Sequence, residues 1–174
     1  NVLNFTSTLA GTGSLAIGDV TVTLGGGFMA ADDSNGTTTN DKGDEVAIAL
    51  TAATGNLTIG VGFASGEYIK SATASTQTAE VDGAEVITAG AKYVSGDMTF
   101  AVGMVDGEAK DTTTFGSNGS NTDSYESVSA SVDYTVASGV TATLGYTSED
   151  SSDEGTADTA NSGTSWYIGA NVSF

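Results

Sequence analysis

The chain contains no cysteine, proline, histidine or arginine, and its only cationic side chains are four lysines. The missing cysteine excludes disulfides, thiolate metal sites and thiol nucleophiles, and the missing histidine excludes an imidazole base or metal ligand. Without arginine there is no bidentate clamp for phosphate or carboxylate groups. A nucleophilic serine would lack its usual base, and most carboxylates fall in polar loops. We therefore expect a protein that is not an enzyme and needs no cofactor.

Positive charge and long hydrophobic runs are also scarce. Asp+Glu number 22 against Lys+Arg 4, a net charge of -18, which disfavours nucleic acid and favours cations or neutral solutes as partners. No segment approaches the roughly 18 apolar residues of a membrane-spanning helix. Aromatic residues make up 7% of the chain, so a bulky buried core is doubtful, although the length suits a single domain over 1–174.

Strict alternation of apolar and small polar residues is what the sequence does contain. Val46, Ile48 and Leu50 alternate with Ala47 and Ala49, and the same period of two recurs along the chain. The pattern predicts strands at 2–17, 20–30, 44–53, 56–65, 84–94, 97–106, 126–136, 140–148 and 164–174. Most are close to the roughly 9 to 11 residues that a tilted strand needs to cross a bilayer.

The connections between these strands are of two kinds that take turns. Short turns rich in Gly, Asn, Asp and Ser fall near 17–19, 53–56, 94–97 and 137–139. Long acidic connections fall at 31–44, 66–83, 106–125 and 147–163. This arrangement predicts an antiparallel up-and-down meander whose two ends differ.

The two faces of the predicted strands differ in a way that argues against a soluble sheet. One face is apolar, whereas the other carries Gly, Ala, Thr and Ser with few of the charges that solubilise an exposed sheet. This favours an all-β transmembrane β-barrel with lipid outside and a narrow or water-filled interior. The predicted pore-lining residues are Glu45, Lys92, Asp133 and Tyr167. Glu45 could instead be a solvated residue at a loop end, and Lys92 a rim charge or a phospholipid contact beside a short turn.

Aromatic residues on the apolar face fall at two heights. Phe28, Phe63, Tyr146 and Trp166 lie at the long-loop ends of their strands, and the short-turn ends carry Tyr93, Tyr134 and Phe174. Trp166 and Phe174 are separated by roughly 20 Å of height in a tilted strand, close to the apolar band of about 25 Å in outer-membrane barrels. The set is therefore predicted to form two membrane girdles. The alternative is that these are core aromatics of a β-sandwich.

The acidic segment "SEDSSDEGTAD" contains the main candidate metal ligands, and "ADDSNG" at 31–36 has the same character. Glu149, Asp150, Asp153 and Glu154 are weak candidates for Ca²⁺, because hard cations prefer carboxylate oxygens. Their spacing does not match an EF-hand loop, so a solvated loop is the favoured interpretation.

The stretch "VASGVTATLGYTSED", followed by the closing "TSWYIGANVSF", resembles Gram-negative general-diffusion porins of the alphaproteobacterial type. The resemblance implies a water-filled outer-membrane channel for passive diffusion of small hydrophilic solutes and ions. It also implies a homotrimer in contact with outer-membrane lipid and lipopolysaccharide. The last strand of that family is read by the barrel-assembly machinery, and the matching positions are Trp166, Ile168, Ala170, Val172 and Phe174. The net negative charge adds an expected preference for cations.

The chain departs from that family in two respects. It has no arginine for the basic cluster of the family's constriction and no obvious inward loop. The predicted strand number is odd, whereas bacterial single-chain barrels normally have an even number. We therefore expect the chain to be the C-terminal part of a larger barrel. Two alternatives stay open: a structural or adhesive outer-membrane barrel whose acidic loops bind partners or divalent cations, and a soluble secreted acidic β-domain.

Overall fold

The computed structural model describes residues 5–34, 40–71, 78–111, 121–153 and 159–173. All regular structure in these ranges is β-strand. The strands are β1 (Phe5–Ile17), β2 (Val20–Ser34), β3 (Asn40–Thr54), β4 (Leu57–Ser71), β5 (Thr78–Ser95), β6 (Met98–Asp111), β7 (Asn121–Ala137), β8 (Val140–Asp153) and β9 (Thr159–Val172).

The nine strands form one sheet in the order β1 to β9, and each strand is antiparallel to the next. The predicted all-β, up-and-down meander is confirmed. The sheet is not closed, because β1 and β9 make no contact with each other over the described residues.

Glycines at positive φ make the short turns. Gly18 (φ 61°), Gly55 (φ 53°) and Gly96 (φ 60°) each begin a two-residue turn, and Gly139 (φ 76°) is the second residue of the fourth. Turns of this kind match the right-handed twist of the flanking strands and favour glycine. The predicted strand ends beside these turns are correct to within one residue.

Three of these turns are also joined to the strand beyond them. The carbonyl of Asn56 accepts a hydrogen bond from the N–H of Val94 at 2.9 Å. In the same way, Thr135 donates to Asp97 at 2.8 Å and Ser173 donates to Gly139 at 2.8 Å. The short-turn edge is therefore a continuous hydrogen-bonded rim along β3 to β9.

At the other edge the strands extend further than predicted, so the predicted long connections were too long. For example, β5 begins at Thr78 rather than 84, and β7 begins at Asn121 rather than 126. Both faces are polar here, so the alternation disappears although backbone pairing continues. Gly83 (φ 99°) adds a bulge, which shifts the β5–β6 register between Val81 and Ala84.

Because directly paired residues share a face, the register assigns every paired residue to one side of the sheet. Between the β-bulges, the apolar face contains odd-numbered residues of β1, β4 and β5 and even-numbered residues of the other strands. Its large side chains are exposed: Leu24 and Ile59 are each 50% exposed. No large side chain is fully buried among the residues whose burial is described. The single layer thus lacks the dry core expected of a soluble sandwich, within the part of the chain that the structure describes.

Candidate functional site

The face opposite the apolar face, here called the polar face, is formed mainly by Gly, Ala, Thr and Ser. Threonine and glycine face each other across β3 and β4 at Thr51 and Gly60, and across β4 and β5 at Thr88 and Gly62. The small side chains leave open space next to the sheet. One hollow of about 400 Å³ is lined chiefly by polar-face Gly and Ala of β2 to β4, among them Gly25, Ala47, Ala49, Gly62 and Ala64.

Side chains from neighbouring strands lean over several polar-face glycines. A Cβ added to Gly62 would lie 2.7 Å from Thr88 Oγ1, and one added to Gly103 would lie 3.3 Å from Ser129 Oγ. At Gly145 an added Cβ would overlap the ring of Tyr167, its direct partner on β9. The Tyr167 ring therefore lies against the sheet, and Gly145 is buried beneath it. Glycine serves here to let a neighbouring group approach the backbone.

Asp133 is held in place by a neighbour on the next strand. The Thr143 hydroxyl donates a hydrogen bond of 2.6 Å to the Asp133 carboxylate, and the two residues are direct partners across β7 and β8. Both side chains are half-buried. A charge-assisted hydrogen bond of this length restrains the carboxylate.

The four residues predicted to line a pore all lie on the polar face, on four different strands. Glu45 is exposed within β3 rather than at the end of a strand, and Lys92 is exposed on β5. Asp133 lies on β7 and Tyr167, which is 50% exposed, on β9. The residues share a surface but do not form one cluster. Their role as a pore lining stays a prediction.

Two further ionisable residues of the polar face were not predicted from the sequence, and a third was predicted only as a Ca²⁺ candidate. Asp123 and Tyr125 lie at the long-loop end of β7, and Glu149 lies on β8 opposite Ser127. Continuing the alternation of β7 past its last apolar residue, Val128, would have placed Asp123 and Tyr125 on this face.

The weak Ca²⁺ candidates do not converge. Glu149 and Asp150 are consecutive strand residues, so their side chains point to opposite faces. Asp153 ends β8, but its side chain and all of Glu154 lie outside what the structure describes. No group of three acidic residues that could hold a metal ion occurs among the described residues. Calcium binding stays a prediction without geometric support.

The predicted girdle aromatics lie on the apolar face as far as they are described, and Phe174 lies outside the described residues. Trp166 packs against Tyr146, with ring centroids 4.7 Å apart and an interplanar angle of 53°. At the short-turn end, Tyr93 faces Phe100 directly across β5 and β6, and Tyr134 faces Met98. Of the predicted assembly signal, Trp166, Ile168, Ala170 and Val172 share this face. Girdle and assembly roles stay predictions.

Toward the long-loop side the apolar face ends in a row of acids. Asp106, Glu126 and Asp150 are direct partners across β6, β7 and β8. On β6 and β7, Asp106 and Glu126 lie directly beyond the last apolar residues of this face, Met104 and Val128, on the long-loop side. The apolar stretch is therefore bounded by charge on one side and by a rim of short turns on the other.

Comparison with known proteins gives a structural match. No family model matches the chain, and no curated protein matches it. The fold is similar to the outer-membrane expressed OmpT of Vibrio cholerae, with a TM-score of 0.59 and 15% sequence identity over 95% of this chain. The chain spans 56% of the length of that protein. At this identity the likeness shows the fold alone: the sheet has the fold of an outer-membrane β-barrel wall.

In the described part of the chain, no helix is long and apolar enough to span a bilayer.

Proposed function

We propose that the chain forms part of the wall of an outer-membrane channel through which small hydrophilic solutes and ions diffuse passively. The observation that carries the proposal is the contrast between the faces of one uncovered sheet. Val61 and Val102 are 56% and 57% exposed on the apolar face, whereas Gly, Thr and Ser form the other face. Lipid would cover the first face and water the second.

Further strands are needed to complete such a channel. Each strand reverses direction, so β1 and β9 run the same way, and direct closure would pair them in parallel. A second copy inserted in the same orientation presents the same strand directions and cannot supply antiparallel partners. We therefore propose that an odd number of additional strands of different sequence lies between β9 and β1, giving an even total.

The polar face also supports a preference for cations. Glu45, Asp123, Asp133 and Glu149 place four carboxylates on it, against the single ammonium group of Lys92, among the side chains that the structure describes. Carboxylates lining a pore favour cations. Contact with lipopolysaccharide, recognition by the barrel-assembly machinery and trimer formation rest on the resemblance alone and are part of the proposal.

Planar-bilayer recording of the full-length protein tests the function. We expect stepwise conductance on insertion, and a reversal potential in a KCl gradient that has the sign of a cation-preferring pore. A structural or adhesive barrel would insert without conductance, and a soluble domain would not insert at all. Either result would overturn the proposal.

A further inference from the structure

The polar face is not uniform across the sheet. On β7, β8 and β9, hydroxyl side chains occur in successive rows of directly paired residues. Ser129, Thr147 and Ser165 form one such row. Ser127 and Ser131 continue the series along β7 on either side of Ser129. We call these five residues the hydroxyl panel.

The same face on β3, β4 and β5 has a different surface. Its central rows contain Ala47, Ala49, Gly60, Gly62, Ala64 and Gly90, here called the smooth panel, and two of these rows also contain one threonine each, Thr51 or Thr88. Alanine and glycine present no oxygen beyond the backbone, and the backbone oxygens of a central strand are already paired. Even with these two threonines, this part of the face offers fewer oxygens than the hydroxyl panel to a cation that has lost part of its water.

Carboxylates stand at both ends of the hydroxyl panel. Asp133, held by Thr143 at 2.6 Å, lies at the short-turn end, and Glu149 lies at the long-loop end opposite Ser127. The row of Asp133 and the row of Glu149 lie six residues apart along β7, a distance of about 20 Å. Strands β7, β8 and β9 contain no lysine, whereas β5 places Lys92 next to the smooth panel.

We infer that cations cross the channel along the hydroxyl panel, with Asp133 and Glu149 as the residues that set cation preference. The inference rests on the proposed channel function and names the surface on which its selectivity arises. Hydroxyl and carboxylate oxygens are the groups that hard cations prefer. The two carboxylates are about two screening lengths apart at 0.1 M salt but less than one at 0.01 M, so their fields merge only in dilute salt. Cation preference is therefore expected to rise steeply as salt is diluted.

The first test neutralises one carboxylate beside each panel, at matched positions. Glu149 and Glu45 are both exposed glutamates on the polar face, each nine residues from the short-turn end of its strand. In full-length channels in 0.01 M KCl, we expect Glu149→Gln to lower the K⁺/Cl⁻ permeability ratio at least twice as much as Glu45→Gln. Equal effects, or a larger effect of Glu45→Gln, would overturn the inference.

A second test compares the same channel before and after a charge is added, so a folding defect cannot produce the result. The 174-residue chain has no cysteine, so within it Ser129→Cys and Thr88→Cys each introduce a single thiol, and the unsubstituted channel treated with the same reagent is the control. Both positions are exposed on the polar face, eight and seven residues from the short-turn ends of β7 and β5. A cationic methanethiosulfonate reagent then adds one positive charge. We expect about a fivefold fall in the permeability ratio for Ser129→Cys, the effect of one unit charge near 4 Å in water, and a much smaller fall for Thr88→Cys.

The outcomes separate this inference from the proposed function. Wild-type protein that inserts but does not conduct would end the channel proposal itself. A channel that conducts, but responds equally to the two labels or to neither, would keep the channel and refute the cation path. A wild-type channel that prefers anions would also refute the path.

Discussion

The carbonyl of Gly139 accepts a hydrogen bond of 2.8 Å from the N–H of Ser173, and a Cβ on Gly139 would lie 2.5 Å from the Ser173 carbonyl oxygen. The turn between β7 and β8 thus holds Ser173, the residue that follows β9, against the rim. Gly139 also has a φ of 76°, so two separate constraints require glycine at this position.

Substituting this glycine should loosen the end of β9. Gly55 provides a matched control, because its φ is 53° and an added Cβ would meet nothing within 4 Å. Gly55→Ala should cost about 1–2 kcal/mol from backbone strain alone. We expect Gly139→Ala to cost at least about 1 kcal/mol more because of the overlap with Ser173. Denaturant unfolding in detergent or lipid measures both values, and equal losses would show that the contact with Ser173 contributes nothing.

Neighbouring residues on one strand test which face meets lipid. Leu50 is 43% exposed on the apolar face, and Thr51 lies next to it on the polar face. We expect Leu50→Lys to cost about 2–4 kcal/mol in a bilayer, as a lysine near the midplane does, and Thr51→Lys to stay within about 0.5 kcal/mol. Reversible unfolding from lipid vesicles gives both numbers. A larger penalty at Thr51 would mean that the assignment of the faces is reversed.

The cover that Tyr167 provides over Gly145 should control the width of the proposed channel. In Gly145→Ala the new methyl group would take the place of the ring, which must then turn away from the sheet toward the open side. We expect lower single-channel conductance and a stability loss of about 1–3 kcal/mol from overpacking. Gly103→Ala is the control, since Ser129 Oγ at 3.3 Å needs only a small shift. Unchanged conductance in Gly145→Ala would show that the ring does not enter the conducting space.

The only tryptophan of the chain can report the position of the apolar face directly. Trp166 is 71% exposed on that face, so its fluorescence should be quenched by brominated lipids, most strongly when the bromines lie near the headgroups. Moving the indole by one residue, with Trp166→Phe and Ser165→Trp combined, transfers it to the polar face and should abolish the quenching. Equal quenching at the two positions would contradict the proposed arrangement.

Much of this fold could be predicted from the sequence because the period of a strand is independent of tertiary context. Leu50 and Thr51 must point to opposite faces whatever surrounds them. Glycine with Asp or Asn marks the turns at Gly18, Gly55 and Gly96 equally well, because few other residues tolerate a positive φ.

The parts that could not be predicted depend on contacts between strands. Alternation gives no information where both faces are polar, so the extension of β5 back to Thr78 and the bulge at Gly83 were missed. Nothing in the sequence indicates that Thr143 donates to Asp133 or that Tyr167 lies over Gly145. Both contacts depend on the register of β7, β8 and β9. A shift of the register by two residues leaves every side chain on the same face, so alternation alone cannot determine the register.

In the proposed membrane barrel, the acidic row formed by Asp106, Glu126 and Asp150 limits how deep the sheet can lie in the bilayer. A shift of two residues toward the short-turn side would immerse three adjacent carboxylates in hydrocarbon simultaneously, and each would have to lose its charge or its water. Movement in the opposite direction would take Tyr93 and Tyr134, two of the predicted girdle residues, away from the interface. The depth of the sheet in the bilayer would therefore be restrained from both sides, by buried charge in one direction and by interfacial aromatic residues in the other.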